Sequence, residues 1–229
     1  MMIYVDTRTH KMSQHDLAIA SDSKALTINS DSAKAHFNLG GTYYRQGKRD
    51  AAIAELQKAI EINPNYAEAH THLGIAYAGQ GKRDAAIAEL QKAIEINPND
   101  AIAHCGMGLA YAEQGKLDDA ITELKKAIAI DPNLAEAHTN LGVAYAKQGK
   151  LDAAIAEWQK AIDINPNLAR AHYNLACAYS FKNEKTLSIK SLRKVIALDK
   201  STIEAAKTDS DFENIRESPE FQQLINSVE

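Results

Sequence analysis

A chain of 229 residues has room for one or two globular domains, and its 45% of hydrophobic residues, rich in alanine, is ample for a packed core. Charged residues make up 24% and the net charge is −4, which argues against nucleic acid as a ligand, because phosphate binding needs a basic stripe. No apolar run reaches the roughly 18 residues of a membrane-spanning helix, and the opening MMIYVDTRTHK lacks the apolar segment of a secretory signal.

Residues 1–14 form an N-terminal arm whose MIYV run reads equally as a short strand or as a disordered arm. Residues 15–32 look like the second half of a worn repeat. Asp16, Ala18, Ile19, Ala25, Leu26, Ile28 and Asn29 fall on Asp50, Ala52, Ile53, Ala59, Ile60, Ile62 and Asn63 when shifted by 34. A single helix is expected there, covering the apolar face of the first full repeat. Five copies of a 34-residue unit then run over residues 33–66, 67–100, 101–134, 135–168 and 169–202. The second and fourth copies are identical at 27 of 34 positions. Self-similarity at such a period dictates the fold, because each unit packs only on its neighbours.

Each copy reads as helix A, a turn and helix B. In the second, helix A is expected from Ala67 to Gln80, with Gly81 supplying a left-handed residue after its end. Helix B is expected from near Asp84, an anion suited to the helix dipole, to about Ile96. Pro98 then disfavours helix at Asn97 and lacks an N–H. Gly47, Gly115 and Gly149, with Pro64, Pro132 and Pro166, repeat this punctuation. The fifth copy diverges at Ala176, Asn183, Ser188 and Lys200, as a terminal repeat should. Residues 203–229 read as capping helices. Ile203–Thr208 is a helix start, a short helix opens at Asp211, and Ser218-Pro219 begins a last helix reaching about Ser227. Phe212, Ile215, Phe221 and Leu224 are placed to cover the exposed end.

This pattern resembles the tetratricopeptide repeat (TPR) family. The fourth copy carries His138, Leu141, Gly142, Tyr145, Ala154, Trp158, Ala161 and Pro166 at repeat positions 4, 7, 8, 11, 20, 24, 27 and 32. The departure is position 4, where the family favours a large aromatic residue and all five copies have His. The resemblance implies an all-α, right-handed superhelical solenoid of antiparallel helix pairs, with a concave groove. Repeats this regular are similar to those of bacterial, archaeal and photosynthetic-organism proteins, assembly factors among them.

An α-helix turns about 100° per residue. Positions 4, 7, 8 and 11 of helix A share one apolar arc, and positions 2, 5, 6, 9, 12 and 13 share the opposite one. Copies one and two differ at eight positions, and six of them are that second arc. The arc is therefore expected to line the groove. Its candidate binding residues are Lys34, Phe37, Asn38, Tyr44 and Arg45 in the first copy, and Glu68, Thr71, His72 and Ile75 in the second. The third adds Ile102, Cys105, Leu109 and Glu113, and the fourth Glu136, Thr139, Asn140, Val143 and Lys147. The fifth adds Arg170, Tyr173 and Asn174, with Cys177, Ser180 and Phe181 on the same arc. Asn38, Asn140 and Asn174 share position 6 and read either as a ladder for a peptide backbone or as a solvated polar stripe. The family's carboxylate clamp for chaperone tails is not matched, since its positions hold Phe37, Gly41, His72, Ile102 and Gly106, or Cys105, Leu109, Asn140, Arg170 and Asn174.

His36, His70, His104, His138 and His172 lie on the packing arc, one per copy, and read as core rather than as a metal site. A loosening of the stack on their protonation is physically allowed. Cys105 and Cys177 lie two repeats apart, which disfavours a disulfide and fits a reducing, cytoplasmic compartment. Glu/Lys pairs on helix B, such as Glu55–Lys58 and Glu89–Lys92, read as a solvated face. No phosphate loop, metal cluster, cofactor motif or catalytic pair is apparent. The expected function is a non-catalytic scaffold or adaptor holding a protein or peptide segment in its groove. Self-assembly through the terminal repeats, giving a homo-oligomer rather than a monomer, is the alternative, and a regulatory module of an enzyme is a weaker one.

Overall fold

The computed structural model describes residues 32–226. The expected arm, nearly all of the leading half-repeat and the last three residues lie outside the described residues. The chain divides into two compact units between Pro98 and Asn99. The first contains α1 (Ala33–Arg45), α2 (Arg49–Ile62), α3 (Ala67–Gly79) and α4 (Arg83–Ile96). The second contains α5 (Ala101–Glu113), α6 (Leu117–Ile130), α7 (Ala135–Lys147), α8 (Leu151–Ile164), α9 (Ala169–Phe181) and α10 (Lys185–Leu198). It continues with α11 (Thr202–Thr208), a 3-10 turn (Ser210–Phe212), α12 (Glu213–Arg216) and α13 (Pro219–Asn226). Among the described residues every regular element is helical. Each odd-numbered helix from α1 to α9 packs on the even-numbered one after it.

Local chemistry explains the ends. The Ser32 hydroxyl accepts from the Ala35 N–H at 3.3 Å, and Asp100 Oδ1 accepts from the Ile102 and Ala103 N–H groups at 2.9 and 3.0 Å. At the other end, Gly47, Gly81, Gly115 and Gly149 have φ of 74–76°. The following Lys N–H returns to the Tyr carbonyl five residues earlier, as in Lys48 to Tyr43 at 3.0 Å. The Lys48, Lys82 and Lys116 ammonium groups also lie 5.6–5.8 Å from the centroids of Tyr43, Tyr77 and Tyr111. In the fifth repeat Asn183 takes the left-handed role, with φ 61°.

The core is one of small residues against large ones. A Cβ on Gly40, Gly74 or Gly108 would lie 2.5–2.8 Å from the Cγ of Leu56, Leu90 or Leu124. One on Gly142 would lie 2.4 Å from Trp158 Nε1. That nitrogen donates to the Thr139 carbonyl at 3.0 Å, so the ring is pinned. In the second unit the C-terminal segment completes the last repeat. Phe212, Ile215, Phe221, Leu224 and Ile225 form one buried cluster with Ala176, Ile189, Leu192 and Ile196. Ser218 opens α13 as expected, its Oγ accepting from the Phe221 N–H.

One expectation about polar residues needs correction. Glu55 and Glu89 are not a solvated face. Glu55 Oε2 lies 2.6 Å from His36 Nδ1, and the same clasp joins Glu89 to His70, Glu123 to His104 and Glu157 to His138 at 2.6–2.7 Å. His70 and His138 also place Nε2 at 3.1–3.2 Å from the Pro64 and Pro132 carbonyls. Both ring nitrogens thus face oxygen atoms.

Candidate functional site

The free arc of helix A is narrower than its wheel suggests. At position 5, Thr71, Cys105 and Thr139 are buried, as is Asn140 at position 6. The Thr71 and Thr139 hydroxyls donate to the Ala67 and Ala135 carbonyls one turn back, at 3.2 and 2.9 Å. Asn140 Nδ2 points at Cys105 Sγ at 3.4 Å, so neither residue is offered to a ligand. Burial pushes the Cys105 thiol up to about 11, which keeps it protonated and unreactive.

The reason is a seam between successive A helices. Within each unit, position 5 of one A helix meets position 6 of the next. Phe37 stands edge-on to His72 with ring centroids 4.9 Å apart, and Phe37 also packs on Tyr66 at 5.1 Å. Cys105 and Asn140 repeat that relation. Positions 5 and 6 fall near 140° and 240° on the wheel, the two edges of the arc, so neighbouring helices cover them. The Asn ladder is broken on this ground: Asn38 is exposed, Asn140 is sealed, and Asn174 is half-buried.

Positions 2 and 13 are open in all five repeats, and position 9 is half-buried in all five. Lys34, Asn38, Tyr44, Arg45 and Glu68, with the half-buried Ile75, are the accessible members in the first unit. Arg45 is partly held by Thr42, its Nη2 donating at 3.2 Å. In the second unit Ile102 stands 48% exposed, with Leu109, Glu113, Glu136, Val143, Lys147 and Arg170 on the same arc. Lys147 Nζ reaches back to the Ala112 carbonyl at 3.2 Å, joining α7 to α5.

The structure brings Val143, Lys147, Tyr173 and Asn174 together. They line a cleft of about 530 Å³ between α7 and α9, with Ala146, Trp158, Cys177 and Ala178 along its floor. Phe181 at position 13 stands on its rim, 76% exposed. Asp211, from the capping segment, lines the other side, a contribution that no repeat alignment could have given. Asn174 Nδ2 has no hydrogen-bond partner among the described residues. Tyr173 donates its hydroxyl to Asp209 and is edge-on to Phe212, which anchors the wall of the cleft to the cap.

Cys177, Asp209 and Asp211 place ligand atoms within 4.8 Å of one another. Their bonds are internal, since Asp209 Oδ1 caps the 3-10 turn through the Asp211 N–H at 3.0 Å and its other oxygen holds Tyr173. Burial and the two carboxylates push the Cys177 thiol well above its ordinary range. No described helix is long and apolar enough to cross a membrane.

The TPR sequence profile matches residues 9–47, 41–81, 80–115, 108–149 and 144–180, and a second tetratricopeptide profile matches 169–202. The chain belongs to the tetratricopeptide repeat family. Among curated proteins none matches. This TPR chain is similar in fold to the Cut9–Hcn1 hetero-tetramer of the APC/C, with TM-score 0.80 and 21% identity. The match covers 87% of this chain and 39% of that one, so the chain spans well under half of its length. It is similar to TTC0263, a thermophilic TPR protein of Thermus thermophilus, with TM-score 0.62, 27% identity, and 72% and 90% of the two chains covered. It is also similar to YrrB, a TPR protein with an unusual peptide-binding site. There the TM-score is 0.55 and identity 22%, over 80% and 94% of the chains. The TPR fold is typically one of protein–protein interaction.

Proposed function

We propose that this TPR chain is a non-catalytic adaptor, working in the cytoplasm in the assembly of complexes, and that it holds an extended segment of a partner protein on its A helices. The observation that carries this reading is Phe181. A phenylalanine three-quarters exposed beside an apolar cleft supports this reading, because it offers a partner an aromatic anchor. Aromatic anchors at well-packed clefts dominate binding energy. Around it stand groups suited to a peptide: Val143 and Ala146 for an apolar side chain, and Lys147 and Asp211 for charges of either sign.

The test is capture from a cell lysate on immobilised wild type beside Phe181→Ala, followed by cross-linking and mass spectrometry. The substitution is on an exposed side chain, so circular dichroism should be unchanged. Partners whose cross-links map to α7 and α9 should fall at least tenfold with the variant. Equal recovery on both proteins would sink the proposal.

A further inference from the structure

The His–Glu clasp is present in four repeats and absent from the fifth. In repeats one to four the carboxylate at position 23 meets the His at position 4. Glu55, Glu123 and Glu157 also meet the Lys at position 26, at 2.8–3.0 Å, so each of these carboxylates sits between two nitrogen groups. In repeat five position 4 is still His172 and position 26 is still Lys194, but position 23 is Ser191. Both halves of the clasp remain and the carboxylate is missing. His172 Nε2 keeps its contact with the Pro166 carbonyl at 3.0 Å.

A cleft of about 480 Å³ opens at that place, bounded by α8, α9 and α10. His172, Ser191 and Lys194 line it together with Lys190 and Arg193. The segment 185–198 carries Lys185, Lys190, Arg193 and Lys194 and no acidic residue, whereas the second helix of each other repeat is mixed in charge. Apolar walls come from Ile162, Leu175 and Leu187.

We infer that this cleft receives a glutamate side chain from a partner protein, seated between His172 and Lys194 as the internal glutamates are in the preceding repeats. The internal copies define the ligand: a carboxylate on a short flexible stem, flanked by apolar groups, entering a positively charged rim. The site shares no lining residue with the α7–α9 cleft and does not depend on it. Because the protein carries its own version of the ligand, one substitution both fills the site and reports on it. Ser191→Glu should close the clasp.

The test uses the full chain with ¹⁵N-histidine labelling, observing the imidazole signals during titration with acetyl-Ala-Leu-Glu-Leu-Ala-amide. His172→Asn identifies the signal. The Glu peptide should shift the His172 resonances saturably. The Gln counterpart, sodium acetate and inorganic phosphate should each bind at least tenfold more weakly. Ser191→Glu should remove the response while melting no lower than wild type. Lys194→Met, an exposed substitution, should weaken the peptide at least fivefold, and Phe181→Ala should leave it unchanged. Equal binding of the Glu and Gln peptides, or an undiminished response in Ser191→Glu, would overturn the inference. Acetate or phosphate binding as tightly as the peptide would also overturn it and leave only a small-anion site. Self-association by light scattering that Ser191→Glu abolishes would reassign the cleft to a second copy of the chain.

Discussion

Repeats four and five are neighbours with the same pair of helices and different means of holding them together. In repeat four, α7 and α8 approach at Gly142 against a pinned Trp158, and Glu157 reaches across the pair to His138 while also holding Lys160 on its own helix. In repeat five Ala176 occupies the glycine position, Leu192 the tryptophan position and Ser191 the glutamate position. Ser188 replaces an alanine and turns its hydroxyl onto the Ala176 carbonyl at 2.7 Å. Repeat five compensates from outside: its helices share a core with Phe212, Phe221 and their neighbours. An internal repeat is held by its own two helices and the next repeat, while the terminal one leans on a cap.

The largest break in this comparison is at the cap. Phe212 is fully buried, and Phe212→Ala should cost about 4 kcal/mol. Hydrogen exchange should rise first in α9 and α10 and leave α7 and α8 less affected. Uniform loosening of both repeats would contradict the division of labour. Next comes Gly142→Ala, expected to destabilise by about 2 kcal/mol in urea unfolding, because the added carbon meets a ring that its hydrogen bond prevents from moving. In a Trp158→Leu background the same change should cost less, as Ala176 beside Leu192 suggests.

The smallest effect sharpens the contrast through pH. Burial raises the Glu157 carboxyl, but hydrogen bonds from Lys160 and His138 outweigh it and hold the group below its ordinary value. A carboxylate depressed in the folded state adds stability above its unfolded value of 4.5 and loses it as pH falls through the folded value. Glu157→Gln should therefore cost about 1.5 kcal/mol at pH 6, and the gap from wild type should shrink below about pH 4.5. A gap that stays constant down to pH 3 would show that the clasp contributes nothing through ionisation.

The period, the Gly–Pro punctuation and the spacing of apolar residues are enough to place the helices, because each is a property of one helix or one turn. The helix A expected at Ala67–Gln80 spans Ala67–Gly79, and the helix B expected from near Asp84 starts one residue earlier at Arg83. The site is legible only at its centre. A wheel knows the angle of Ile102 or Val143 about its own axis but not where the neighbouring helix lies. It therefore leaves Cys105 and Asn140 open, which meet each other from neighbouring helices, and Thr71 and Thr139 open, which are buried. The clasp joins residues 19 apart on different helices, beyond any single-helix pattern. One signal was available: Glu at position 23 accompanies His at position 4 in four copies and is missing in the fifth. Asp211 in the cleft carries no signal at all, since it lies outside the repeats.

The clasps have a mechanical side. The His–Glu pairs each close over 19 residues, and the longer side-chain bonds, such as Gln80 to Asp50, Gln148 to Asp118 and Tyr173 to Asp209, close over 30 to 36. Each of these bonds joins helices of one repeat or of adjacent segments. Under tension along the chain, rupture of any one of these bonds frees only the segments it joins. The array yields one helix pair at a time and recovers one at a time, since each lost contact has its mate nearby in sequence. A scaffold built this way gives under load in steps, as a spring does, rather than failing as a clamp.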